Sequence, residues 1–206
     1  PELRSMLERV GRKGFTRFSS FGPTNDRRQR DQKTTELINA VVDATTNLAI
    51  TKTGALIVIE RETKLGEIVK TGTVVDAAPS ASLIMNIFYP KSPLHDGALI
   101  IREGRLLSAG CFLPLSNSPM ASDLGTRHHA ALGVSEISDS VVVVVSEETG
   151  IISIALEGKM NRRITPDALT TLLRKYLNNE EIKKGNLFSI WRKKKTDADS
   201  EKKEEA

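Results

Sequence analysis

Three polar clusters break into apolar stretches of this 206-residue chain, and each carries side chains that could do chemistry. The first is His95-Asp96-Gly97-Ala98, directly ahead of the apolar run Leu99-Ile100-Ile101. A carboxylate at the mouth of a strand can exchange a proton, ligate a metal or form a turn, and Asp-Gly is a common turn pair. His95 beside it could be a second metal ligand or an ordinary hydrogen-bonded histidine. The second cluster, Thr126-Arg127-His128-His129, opens a helical segment. Free amides at a helix N-terminus attract anions. Thr126 could cap the helix or donate to a phosphate, and the Arg127 fork could hold phosphate oxygens. A capped helix with surface Arg and His explains the same residues. Adjacent histidines point about 100° apart on a helix, which keeps His128 and His129 from sharing one ion. The third cluster, Ser146-Glu147-Glu148-Thr149, follows five consecutive valines. Loops after buried strands commonly carry ligand contacts, and a solvated hairpin turn is the plainer reading.

What the chain lacks narrows the chemistry. It has no Walker A loop, no G-x-G-x-x-G and no Cys/His spacing for zinc. A Ser-His-Asp hydrolase has no G-x-S-x-G elbow to support it.

The elements that must position these clusters follow from periodicity. Leu37, Ile38, Val41, Val42, Thr45, Leu48 and Ala49 share one helical face from Gln32 onward, and Gly54 follows as a stop. Residues 55–60 (ALIVIE) predict a buried strand, and 73–77 a possible short one. Ser80 caps a predicted helix over 80–89 that Pro90 ends. Residues 97–114 predict two strands joined at Glu103-Gly104, followed by a polar loop over 115–125. The helix that Thr126 opens presents Ala130, Ala131, Val134 and Ile137. Strands are predicted at 141–145 and 151–158. Thr165-Pro166 starts a last helix with Leu169, Leu172, Leu173 and Tyr176 on its apolar face. Strands alternate with helices, and two strand pairs are hairpin-like. The expected fold is therefore α/β, with a mixed parallel and antiparallel central sheet flanked by helices.

The ends differ from the middle. Residues 1–33 carry nine basic and four acidic groups, residues 183–206 eight and five, whereas 34–182 carry thirteen and seventeen. The net charge of +4 thus belongs to the flanks. A nucleic-acid-binding domain would put positive charge on its folded face, and an acidic core with few aromatic residues argues against nucleic acid as a partner. Leu3, Met6, Leu7 and Val10 suggest a short amphipathic helix over 2–12, and residues 14–30 read as a linker. The expected division is 1–30 for this segment and linker, 31–180 for the domain, and 181–206 for a charged tail without fixed structure. With 39% hydrophobic and 27% charged residues the composition suits a globular chain. Cys111 is the single cysteine, so no internal disulfide forms, and a reducing compartment is expected. No stretch reaches the ~18 apolar residues that cross a bilayer. The chain opens on Pro1 rather than Met, and a preceding segment is expected.

Taken together in this order, the clusters resemble the diadenylate cyclase domain of the DisA N-terminal type, over about 150 residues from Arg30 to Asn178. Asp96-Gly97-Ala98 matches that family's Asp-Gly-Ala motif, and Thr126-Arg127-His128 its Arg-His-Arg motif, with CFLPLS and SEETG alongside. The flanks PELRSMLERVGR and LTTLLRKYL look like the membrane-bound CdaA class. The resemblance implies synthesis of cyclic di-AMP from two ATP with Mn²⁺ or Mg²⁺. It implies that Asp96 helps activate the ribose 3′-hydroxyl, with Gly97 and Ala98 letting backbone approach the sugar. It assigns phosphate to Thr126 and Arg127, places His128 inside the same motif among the catalytic residues, and gives the metal to His95 and Glu148 and adenine to Phe112, Leu113 and Pro114. Ser146 and Glu147 fall in the nucleotide-binding loop. The family pattern has Arg where this chain has His129, which raises the alternative of a weakened nucleotide sensor. The resemblance further implies a homodimer, a YbbR-domain regulator and phosphoglucosamine mutase as partners. It places the catalytic domain on the cytoplasmic side of a cell membrane, anchored by a segment upstream of Pro1.

Overall fold

Two runs of aliphatic residues, Ala55–Ile59 (β1) and Val141–Val145 (β5), are buried along their whole length. Side chains alternate across a strand, so a continuous apolar run needs a core on both faces. The computed structural model supplies both, and it describes residues 23–117 and 125–177, with side chains from residue 29 on. The expected helix over 2–12 and the tail from 181 lie outside the described residues, as does most of the 115–125 loop.

The remaining elements are α1 (Pro23–Ile50), α2 (Gly66–Val69), β2 (Thr73–Ala77), α3 (Ala81–Ile87), β3 (Ala98–Arg102), β4 (Arg105–Cys111), α4 (Thr126–Ile137), β6 (Ile152–Leu156), β7 (Lys159–Arg162) and α5 (Pro166–Leu177). The described strands form one seven-stranded sheet in the order β2-β4-β3-β1-β5-β6-β7. The β1–β3 pair is parallel and the other pairs are antiparallel, so the sheet is mixed, as expected. Helices α1, α3 and α5 cover one face, where Ile38, Val41, Ile57, Val143 and Leu173 belong to the larger core. Helices α2 and α4 cover the other face, over Leu56, Val58, Val142 and Val144.

Several local expectations hold. The Ser80 hydroxyl accepts from the Leu83 amide, and α3 stops at Ile87, ahead of Pro90. The Thr165 hydroxyl accepts from the Ala168 amide at the start of α5. Glu103 and Gly104 both have positive φ, the signature of a two-residue hairpin turn.

Four expectations need correction. Residues 23–30 are helical, not linker: Pro23 opens α1, a favourable first-turn position, and the Gly and Ser that marked 14–30 as linker all precede it. The predicted strand 151–158 ends at Leu156, and a further strand, β7, follows. Its sequence Lys-Met-Asn-Arg has no apolar alternation because it is an exposed edge strand. Thr126 is not the cap of α4; Gly125 holds that position and its carbonyl accepts from the His128 and His129 amides. Ile137, placed on the buried face of α4, is 63% exposed at the last turn.

One end of the sheet is closed by paired charges. The fully buried Glu60 carboxylate accepts from Arg102 Nε at 2.6 Å and Nη2 at 2.9 Å, and from the Leu65 amide at 2.9 Å. Nearby, Asp139 accepts from the Glu62 and Thr63 amides at 3.1 and 3.0 Å.

Candidate active site

The opposite end of the sheet gathers all three polar clusters, and strand register explains how. Ala98 pairs with Cys111, Ile57 with Leu99, and Ala55 with Val145. The chain segments just outside these pairs therefore line up along one edge: Phe112 after β4, Asp96-Gly97 before β3, Gly54 before β1, and Ser146 after β5. Clusters up to 50 residues apart in sequence, from Asp96 to Ser146, meet because parallel β1 and β3 start where antiparallel β4 and β5 end.

Gly97 makes this junction possible. Its φ is +115°, and a Cβ there would lie 2.7 Å from the Gly110 carbonyl carbon and 2.8 Å from the Cys111 oxygen. Only glycine fits such an approach in that conformation. Ala98 is fully buried in the core under α4, so its methyl packs against protein. Asp96 is exposed and makes no hydrogen bond or ion pair among the described residues. His95 Nδ1 lies 2.6 Å from the Ser92 carbonyl. A carbonyl only accepts, so Nδ1 donates to it, and in the neutral ring the lone pair then sits on Nε2.

Helix α4 aims its N-terminus into a small cleft of about 70 Å³ lined by Gly125–His128, Val145, the loop Ser146–Thr149 and Arg162. Arg127 donates from Nη1 to Glu147 Oε2 at 2.6 Å. His128 is only 5% exposed, and its Nε2 has no hydrogen-bond partner. Burial pushes its imidazole pKa down, and the charges of Arg162 and His129 push the same way against Glu148. His128 is therefore a neutral ring facing the cleft with an unmet polar atom. The Ser146–Thr149 loop is closed by its own backbone, Ser146 N–H to the Ile151 carbonyl and Gly150 N–H to the Ser146 carbonyl, which leaves Glu148 exposed at the cleft.

The adenine-matching segment is tied to the same helix. The Ser116 amide donates to the His129 carbonyl at 3.0 Å, His129 Nδ1 donates to the Ser116 carbonyl at 3.2 Å, and the Ser116 hydroxyl donates to Glu136 at 2.5 Å. His129 thus holds the 112–117 strap, and it does not line the cleft. Leu113 packs on the α4-side core, whereas Phe112 is 67% exposed with its amide donating to Thr71 Oγ1 at 2.9 Å.

Three contributors escaped sequence reasoning. Gly54, read as a helix stop, packs under Arg127: a Cβ would sit 2.8 Å from Nη1 and 2.9 Å from Glu147 Oε2. Thr71 orients the Phe112 amide from a stretch that had no clear periodicity. Arg162 reaches the cleft from the edge strand that lacked a strand signal, although Glu157-Gly158 repeats the Glu103-Gly104 turn and could have revealed it. A more open groove of about 840 Å³ between the ends of α1 and α3, near Tyr89, holds none of the sequence-derived site residues.

No group of three His, Cys, Asp or Glu able to hold a metal occurs among the described residues. The free Nε2 of His95 and the exposed Glu148 are suitable single ligands, and a divalent ion that keeps water and substrate phosphates needs only one or two from protein.

A helix N-terminus, an unpaired carboxylate and a buried unsatisfied imidazole at one sheet edge are what a nucleotide-binding α/β domain needs. Comparison with known proteins identifies which. The family model "DisA bacterial checkpoint controller nucleotide-binding" matches residues 42–160, and the chain belongs to this diadenylate cyclase family. The cyclic di-AMP synthase CdaA of Bacillus subtilis is 43% identical over 197 residues, covering 95% of this chain and 69% of the relative. The diadenylate cyclase of Listeria monocytogenes is 43% identical over 194 residues, covering 93% and 68%. Among solved structures, DacA of Staphylococcus aureus superposes with a TM-score of 0.67 at 45% identity, covering 68% of this chain and 95% of that one.

Proposed function

We propose that this chain condenses two ATP into cyclic di-AMP, releasing two pyrophosphates. The observation that carries this reading is the convergence of Asp96, the α4 N-terminus with Arg127, and the 112–114 segment on one sheet edge, in a chain of the cyclase family. The ribose 3′-hydroxyl of one ATP attacks the α-phosphorus of the other, and the bond to the β,γ-pyrophosphate breaks. Asp96, exposed and unpaired, accepts or orients the hydroxyl proton. Thr126, Arg127 and His128 hold the phosphates, with Arg127 braced by Glu147 and by the bare backbone of Gly54. Leu113 and Pro114 offer an apolar surface to adenine while backbone groups read its edge.

His95 and Glu148 would hold a Mn²⁺ or Mg²⁺ ion, which would supply charge neutralisation at the phosphates. One chain offers one such edge, and ring closure needs two 3′-hydroxyls and two α-phosphates. A two-fold dimer with its edges facing supplies both, and the exposure of Phe112 and Leu115 beside the site supports pairing there. The position of His129 on the 112–117 strap favours an active enzyme over a weakened sensor. Membrane anchoring through a segment upstream of Pro1, a cytoplasmic catalytic domain, and regulation by a YbbR-domain protein and phosphoglucosamine mutase rest on family resemblance. A structural relative described as a hypothetical membrane spanning protein of Bacillus cereus, 44% identical with a TM-score of 0.59 and covering 61% of this chain and 62% of that one, supports the anchoring. No helix among the described residues is long and apolar enough to cross a membrane.

Incubation with ATP and Mn²⁺, followed by mass detection, should yield cyclic di-AMP and pyrophosphate. ATP binding without product would overturn the cyclase reading in favour of a sensor.

A further inference from the structure

The cleft at the start of α4 contains a second cation besides Arg127. Arg127 is already paired with Glu147. Arg162, across the cleft, is exposed, and its side chain makes no ion pair or hydrogen bond among the described residues. Register fixes where it points. Leu56 pairs with Val144, Val144 with Ser153, and Ser153 with Arg162. Directly opposed residues share a face of the sheet. Leu56 and Val144 belong to the core under α4, so Arg162 ends a cross-strand row on the face that α4 covers. Val144 is one residue from the end of β5 at the site edge, which puts Arg162 near that edge as well.

A further observation points to a ligand at this place. His128, which lines the cleft, has its Nε2 buried and without a partner, and the ring feels the Arg162 charge. Unsatisfied buried polar atoms are uncommon, and a site for an oxyanion or its bridging water accounts for this one next to an exposed guanidinium. The order of the strands gives direction. The adenine-matching segment leaves β4, Asp96 precedes β3, Arg127 packs on Gly54 before β1, and Arg162 stands on β7. A nucleotide laid along this edge with its base at β4 sends its phosphate tail towards β7.

We propose that Arg162 is a second phosphate-binding residue, directed at the β- and γ-phosphates that leave as pyrophosphate. This rests on the nucleotide reading of the site. It separates two groups of the substrate: Arg127 serves the phosphate that remains in product, and Arg162 the part that departs. Arg162 therefore favours substrate over product in binding.

The test compares α,β-methylene-ATP, which cannot be cleaved at the reacting bond, with AMP and cyclic di-AMP, which lack the tail. Binding to the whole chain is measured by calorimetry for wild type, Arg162→Ala and Arg162→Lys. Arg162→Ala should weaken the ATP analogue about tenfold or more, the scale of one charge-assisted contact. AMP and cyclic di-AMP should bind as to wild type, and Arg162→Lys should recover part of the loss. Equal weakening of all three ligands, or no weakening of any, would overturn the assignment. A wild-type chain that binds the analogue but makes no cyclic di-AMP from ATP refutes the cyclase reading alone, since the binding ratio still decides Arg162. A wild-type chain that binds none of the ligands refutes both.

Discussion

The two ends of one sheet treat polar groups in opposite ways. At the end where β1 and β3 finish, the buried and half-buried carboxylates are satisfied by protein: Glu60 takes three hydrogen bonds, two of them from Arg102, and Asp139 takes two backbone amides. At the end where β1 and β3 begin, the side chains of Asp96 and Arg162 lack partners among the described residues and His128 Nε2 is buried unpaired. Both ends are built on the same strands, so the difference is not one of scaffold. Satisfied groups at the first end contribute to stability. Unsatisfied groups at the second end reduce it slightly and leave capacity for a ligand. Substitutions at the first end should therefore change stability and spare chemistry, and substitutions at the second should do the reverse.

The sharpest separation is expected at Asp96. Asp96→Asn keeps the shape and removes the base, so cyclic di-AMP formation should fall about 10²–10⁴-fold. The urea midpoint should not move, because the carboxylate supports nothing in the fold. Unchanged turnover would remove Asp96 from the mechanism, and a large loss of stability would erase the contrast between the two ends.

Arg102→Met is the mirror experiment. It leaves the Glu60 carboxylate, fully buried, without its counter-charge, which costs about 3–5 kcal/mol for a buried pair broken on one side. Denaturant unfolding should show this loss, while turnover per folded molecule stays near wild type. A stability change under about 1 kcal/mol would mean that water replaces Arg102 beside Glu60.

A smaller effect is expected at Gly54. In Gly54→Ala the new methyl meets the ends of Arg127 and Glu147, which must swing aside. Displacement of this kind should lower the rate about tenfold without unfolding the chain. In an Arg127→Ala background the same change should add nothing, because its route of action has gone. A full additional loss there would show that Gly54 matters through its own backbone.

The smallest effect belongs to Asp139 and depends on pH. Burial acts to raise its pKa, but the Thr63 and Glu62 amides, the Thr63 hydroxyl and the Arg61 charge outweigh it, and the net shift is downward. A lowered folded-state pKa adds stability above the unfolded value, and that stability is lost as pH falls through the folded value. Asp139→Ala should thus cost about 1 kcal/mol at neutral pH. The gap to wild type should narrow once pH drops below about 4. An equal gap at pH 3 and pH 7 would show that the anion is not what Asp139 contributes.

Much of the fold was legible because buried strands and capped helices announce themselves locally. The five valines of β5, the Ser80 and Thr165 caps and the Glu103-Gly104 turn each act over a few residues. The edge strand β7 was not legible, since exposure removes the apolar alternation that marks a strand. The first turns of α1 were hidden by their polar composition.

For the site, the reactive side chains could be read directly from the chain: the carboxylate of Asp96, the fork of Arg127 at a helix start, and the acids after β5. Their types and local order are properties of short segments, and the family likeness follows from them. What each of them faces is set by packing. Parallel pairing of β1 with β3 sets Gly54 abreast of Asp96, and packing of α4 over the β5-β6-β7 face sets His128 against Arg162. The same packing turns His129 away from the cleft and onto Ser116. Such relations depend on register and on which face a helix covers, and both are fixed by burying two apolar cores at once rather than by any neighbour in the chain.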